Sequence, residues 1–162
     1  MIRITAHSAT AALVVGTLLG AACSRAPTPE PGNRKAPYLA LHLAYDDSAS
    51  GRQRLQHGDS AIYVLPDPIV SDGDFAAVRP LTRPGALLLQ VTCHPQACNR
   101  LVTVTGENVG THVATLVASQ VRGVAPIASA VGTGGSTTIA VDASGAEAER
   151  IVAEVRSRWP AR

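Results

Sequence analysis

Three cysteines carry the most reactive side chains in this chain of 162 residues. Cys93-His94-Pro95-Gln96-Ala97-Cys98 places two of them at the junction of a β-rich run and a helical pattern. In an exported protein the first reading is a disulfide that staples the helix start to the strand end. So short a loop is worth about 2 kcal/mol by the chain-entropy estimate. Free thiols or a redox switch are a second reading, although a redox pair more typically has the Cys-x-x-Cys spacing. With His94 the pair would also supply three metal ligands, but no second ligand cluster accompanies them and the spacing is not that of a zinc knuckle. Other chemistry is poorly represented. No G-x-S-x-G elbow exposes a nucleophilic serine, and the turn Gly132–Thr137 leads into a strand, where a phosphate cradle needs a helix N-terminus. His42, His57, His94 and His112 read as surface residues rather than bases. Asp46 and Asp47 read as a solvated loop, and Asp72 and Asp74 as a helix cap. No catalytic residue, metal or cofactor is expected.

The third cysteine belongs to a different kind of signal. Arg3 and His7 precede an apolar, Gly and Thr run from Ala9 to Ala22, too short to span a bilayer but of secretory length. It ends in Leu18-Leu19-Gly20-Ala21-Ala22-Cys23, which resembles a bacterial lipoprotein signal with Cys23 as the lipidated N-terminus. Gly20 stands where the usual lipobox has an aliphatic residue, so cleavage by ordinary signal peptidase is the alternative. Residues 1–22 are therefore assigned to export. Residues 23–37, with Pro27, Pro29 and Pro31 and no hydrophobic periodicity, form an extended tether. Ser24 after the cysteine favours the outer over the inner membrane, on the periplasmic side of the envelope.

The remaining chain, 38–162, must position any site. A net charge of +2 from 14 basic and 12 acidic residues makes no basic stripe, and 3% aromatics make no stacking platform, so nucleic acid is excluded as a partner. Tyr38–Tyr45 alternates as a half-buried strand, with His42 on its outer face. Asp46–Gly58 reads as a polar loop and Ala61–Leu65 as a second strand. Ser71 or Asp72 is expected to cap a helical turn reaching Val78, and Ala86–Thr92 is the third strand. A helix from Pro95 carries Ala97, Leu101 and Val104 on one side and ends at Gly110, the residue type a C-cap prefers. His112–Ser119 and Val121–Ile127 form a hairpin around Ser119-Gln120, and Thr137–Val141 is the last strand. The final helix opens with a capping box at Ser144 and Glu147 and carries an apolar stripe through Ala148, Ile151, Val152, Val155 and Trp159. The expected class is α+β: a mostly antiparallel sheet with two helices packed on one face.

Thr105-Gly106-Glu107-Asn108-Val109-Gly110, then Val113-Ala114, Val124-Ala125-Pro126-Ile127, Gly134-Gly135-Ser136 and Glu147-Ala148 follow one another in a recognisable order. Together with Gly58–Val64 and Pro68–Phe75 they resemble the head subdomain of the first periplasmic domain of SecD, over about 115 residues. The family's Asp-Gly at the hairpin is Ser119-Gln120 here, the Gly of its last strand is Val141, and its P-E-G-A helix start is Pro95-Gln96-Ala97-Cys98. The resemblance implies a non-enzymatic binding module that engages extended polypeptide or an envelope partner. Thr105, Glu107, Asn108, Gly110, Pro126, Gly134 and Gly135 are then its structural or partner-binding residues. Expected partners are a protein or unfolded polypeptide, and the lipid bilayer through the N-terminal anchor, with no small-molecule substrate. A structural envelope lipoprotein that reuses the head fold, with no role in translocation, is the alternative.

Overall fold

The computed structural model describes residues 36–83 and 86–159. The expected export signal, Cys23 and the expected tether as far as residue 35 lie outside the described residues. In chain order the elements are β1 (Leu39–Tyr45), β2 (Gln53–His57), β3 (Ser60–Val64) and β4 (Val70–Ser71), then one 3-10 turn (Asp72–Asp74). β5 (Phe75–Arg83), β6 (Ala86–Cys93), α1 (Pro95–Glu107), β7 (His112–Val117), β8 (Gln120–Pro126), β9 (Ser136–Ala140) and α2 (Gly145–Ser157) follow. Every strand pair is antiparallel, so the chain is α+β as expected. The strands divide into two sheets, one ordered β2-β3-β1-β7-β8 with β4 added to β1, the other β5-β6-β9.

Two segments depart from the sequence reading. Within the loop expected over Asp46–Gly58, Gln53–His57 is a strand paired to β3 from Gln53↔Val64 to His57↔Ser60. Its single apolar residue, Leu55, gives no visible alternation, and tertiary pairing decides its conformation. The helical turn expected to reach Val78 ends at Asp74, and Phe75–Arg83 is extended along β6. Pro80 is tolerated there because β5 is an edge strand. A smaller shift concerns the β7–β8 hairpin. Its two-residue turn is Ala118-Ser119, with φ of 48° and 66°, one residue earlier than expected. Both values suit a type I′ turn, whose twist matches the flanking strands.

The strand β1 is buried on both faces, which corrects the half-buried expectation. Leu39, Leu41 and Leu43 enter the larger core with Phe75 and Val78 of β5, Leu89 and Val91 of β6, and the stripes of both helices. The α2 stripe of Ala148, Ile151, Val152 and Val155 lies wholly inside, at about 2 kcal/mol for each branched side chain. On the opposite face Ala44, Ile62, Val64, Ala114, Leu116 and Val121 form a second cluster, against which Leu55 and Val124 pack. This is possible because the six-stranded sheet curls until its edge strands β2 and β8 approach one another. His42 is consequently buried, 6% exposed, and its Nδ1 lies 2.8 Å from the Leu65 carbonyl oxygen.

Asp72 fixes the start of β1. Its carboxylate accepts the Tyr38 and Leu39 backbone N–H groups at 2.7 and 2.6 Å, and its carbonyl accepts the Trp159 indole N–H at 3.2 Å. It is a buried tie between distant segments, not the helix cap expected of it.

Candidate functional site

The two sheets meet along β8 and β9. At one point they touch. The Asp142 N–H donates to the Arg122 carbonyl at 2.6 Å, and a Cβ on Gly123 would run into the Ala140 carbonyl. Only glycine permits that approach. Arg122 is locally bulged out of the β7–β8 register, and its guanidinium reaches Glu147 on α2 at 2.5 Å. Glu147 therefore faces Arg122, while its backbone N–H donates to the Ser144 hydroxyl as a helix cap requires.

Beyond this contact the strands separate, and no ladder joins them. A cleft of about 200 Å³ lies between Val124–Ile127 and Thr137–Ala140, backed by Leu41, Leu101, Val113 and Val131. None of its lining residues is charged. Backbone parity shows which way the strand edges point. The Ile127 N–H donates to the Thr111 carbonyl and the Gly110 N–H to the Ile127 carbonyl, so residue 127 faces β7. By alternation Val124 and Pro126 turn their peptide groups toward the cleft. The Cys93 N–H donates to the Gly135 carbonyl, which turns residues 137 and 139 toward β6 and residues 138 and 140 toward the cleft. Pro126 sits at an outward position, where its missing N–H breaks no ladder bond. A second hollow of about 240 Å³, near His42, Leu55 and Leu116, is walled partly by the loop residues Pro66 and Pro68.

Of the sequence-predicted residues Pro126 lines the cleft, while Thr105 and Gly110 are bonded to the lining residues Val131 and Ile127. Thr105 is fully buried, and its hydroxyl donates to the Leu101 carbonyl at 2.7 Å while accepting the Val131 N–H at 2.8 Å. That bond secures the wall formed by Val131. Asn108 caps α1, and its side-chain amide donates to the Val104 carbonyl at 2.8 Å. The helix is thus capped two residues before Gly110, which lies at φ +91° and donates to the Ile127 carbonyl at 2.9 Å. Gly134 and Gly135 form the turn into β9. Gly135 donates to the Gly132 carbonyl at 3.0 Å and accepts from Cys93 at 3.3 Å. Cys93 and Cys98 are joined as a disulfide, with Cα atoms 5.4 Å apart, both buried in the larger core. Glu107 stands apart from this group, exposed on α1. Among the described residues, no group of three or more His, Cys, Asp or Glu is placed to hold a metal.

Sequence reasoning missed the role of Asp72 as a tie to Tyr38 and Leu39, the Gly123–Ala140 contact and the Arg122–Glu147 pair. A signal for the second was present: a lone glycine inside an alternating strand marks a bulge or a close backbone approach.

No family model and no curated protein matches the sequence. Solved structures do. SecDF in its super-membrane-facing form aligns over 74% of this chain at 20% identity and a TM-score of 0.57. SecDF described as a membrane component that enhances protein export aligns over 74% at 18% identity and a TM-score of 0.56. The fold is that of a SecDF periplasmic region. The chain spans 18% of the first of these proteins and 61% of the second. Among the described residues no helix is long and apolar enough to cross a membrane.

Proposed function

We propose that this protein is an exported, lipid-anchored and non-enzymatic binding module, which engages extended polypeptide or a protein-export partner on the periplasmic side of the envelope. The observation that carries this reading is the uncharged cleft between two unpaired strand edges, in a fold shared with a protein that enhances export. Strand edges bind other chains through main-chain hydrogen bonds, without demanding one sequence. Such a module holds a chain and needs no catalytic group.

Photo-crosslinking of the full chain to a reduced, unfolded model polypeptide tests the reading. Capture of the unfolded form, and not of the same polypeptide when folded, is the expected result. Equal capture of both, or of neither, removes it and favours the accessory role. The anchor is a separate matter. Cys23→Ala is expected to move the protein from the membrane to the soluble periplasmic fraction, and unchanged membrane association would refute lipidation.

A further inference from the structure

We propose that the hollow inside the curled six-stranded sheet holds a single neutral aromatic ring bearing a hydroxyl or N–H donor, fixed by a hydrogen bond to Nε2 of His42. The site is distinct from the β8–β9 cleft. His42 and Leu116 floor a space of about 240 Å³, walled by Leu55 and by the rings of Pro37, Pro66 and Pro68. The His42 Nδ1–H donates to the Leu65 carbonyl at 2.8 Å, so in the neutral imidazole Nε2 keeps its lone pair. No described group meets that nitrogen, although the residue is only 6% exposed. A free acceptor at the floor of an apolar hollow selects a ligand with one well-placed donor.

Three features narrow the ligand's class. No Asp, Glu, Lys or Arg lines the hollow, so a charged ligand would lose its water without gaining a counter-charge. A cavity of roughly 150 Å³ is enough for benzene, so this one takes a ring together with its donor but not a drug-sized molecule. Proline rings pack against aromatic rings wherever proline-rich segments are recognised, and here three of them stand in the wall. The wall is also set in advance. The Leu65 N–H donates to the Leu43 carbonyl at 3.1 Å and the Ile69 N–H to the Leu41 carbonyl at 2.7 Å, which pins the loop carrying Pro66 and Pro68 to β1. A pre-formed wall removes an ordering cost that a small ligand could not offset. Such a ring has two sources, a free phenol or indole, or the Tyr or Trp side chain of a bound chain.

The test follows the imidazole nitrogen resonances of His42 in the full chain during titration with phenol at millimolar concentrations. Expected are saturable binding, a larger shift at Nε2 than at Nδ1, and at least about fivefold weaker binding of anisole, which keeps the ring and lacks the donor. Indole is expected to bind as phenol does. Leu55→Trp fills the hollow and leaves the His42–Leu65 bond in place, and it is expected to abolish binding. His42→Phe removes the acceptor and is expected to weaken phenol at least to the level of anisole; because it also orphans the Leu65 carbonyl, Leu55→Trp and anisole decide the matter if it fails to fold. A blocked Gly-Tyr-Gly peptide separates the sources: binding tighter than phenol assigns the site to a bound chain, and weaker binding assigns it to a free small molecule. No saturation by phenol or indole, equal binding of phenol and anisole, or undiminished binding by Leu55→Trp overturns the proposal, and each leaves the binding-module reading to its own crosslinking test.

Discussion

The two ends of the molecule at which strands begin and meet are finished differently. At the start of β1 the backbone is tied down on several sides: Asp72 accepts two backbone N–H groups and the Trp159 indole, and the Tyr38 carbonyl accepts the Ala118 N–H at 2.7 Å. At the β8–β9 seam a single backbone hydrogen bond, Asp142 to Arg122, is followed by two edges that face a cleft and leave their peptide groups to other partners. Buried polar groups are normally satisfied, so the first region is what folding alone produces. The second keeps its hydrogen-bonding capacity at the surface, and natural proteins usually blunt such edges unless they are used.

Breaking the closed side has the largest expected effect. Asp72→Ala leaves the Tyr38 and Leu39 amides without their acceptor at a position where Leu39 is fully buried. A loss of about 3 kcal/mol follows from two orphaned donors, and the melting temperature is expected to fall by about 10 °C. A calorimetric midpoint within a degree of wild type would show that the tie is dispensable. The seam is tested next. Gly123→Ala forces a methyl group against the Ala140 carbonyl, and backbone on both sides must move, at a cost of about 2 kcal/mol. Urea unfolding reads this loss directly, and an unchanged midpoint would mean that the sheets do not touch there.

Much of this architecture was legible in the sequence, for reasons that differ along the chain. Strong periodicity marked β1 and α2, because Leu39, Leu41 and Leu43, or Ile151, Val152 and Val155, share one face of a regular element. The disulfide was foreseeable from two cysteines five positions apart in a chain whose N-terminal pattern reads as an export signal. Local pattern failed where partners distant in sequence decide conformation. Gln53–His57 is extended because β3 pairs with it, and Phe75–Arg83 because β6 does. The burial of His42 needed the curl of the whole sheet, which no window of residues contains. The cleft was the least visible feature. Of the residues singled out by resemblance Pro126 lines it and Thr105 and Gly110 only brace its walls through Val131 and Ile127, an arrangement that depends on contacts between segments distant in sequence.

The smallest expected effect lies at the turn between β7 and β8. Ala118 and Ser119 hold φ of 48° and 66°, a region that costs an ordinary residue about 1 kcal/mol. Asn-Gly is the pair a type I′ turn prefers, and Gly carries a larger unfolded-state entropy that offsets part of the gain. Ala118→Asn with Ser119→Gly is therefore expected to add about 0.5–1 kcal/mol, seen as a raised urea midpoint with an unchanged slope. A lowered midpoint would show that the turn is not of this type. The turn residues line no part of the cleft. The same double variant should hence capture the unfolded model polypeptide as the wild type does, whereas a change in that capture would mean that hairpin stability and the open edge are not independent.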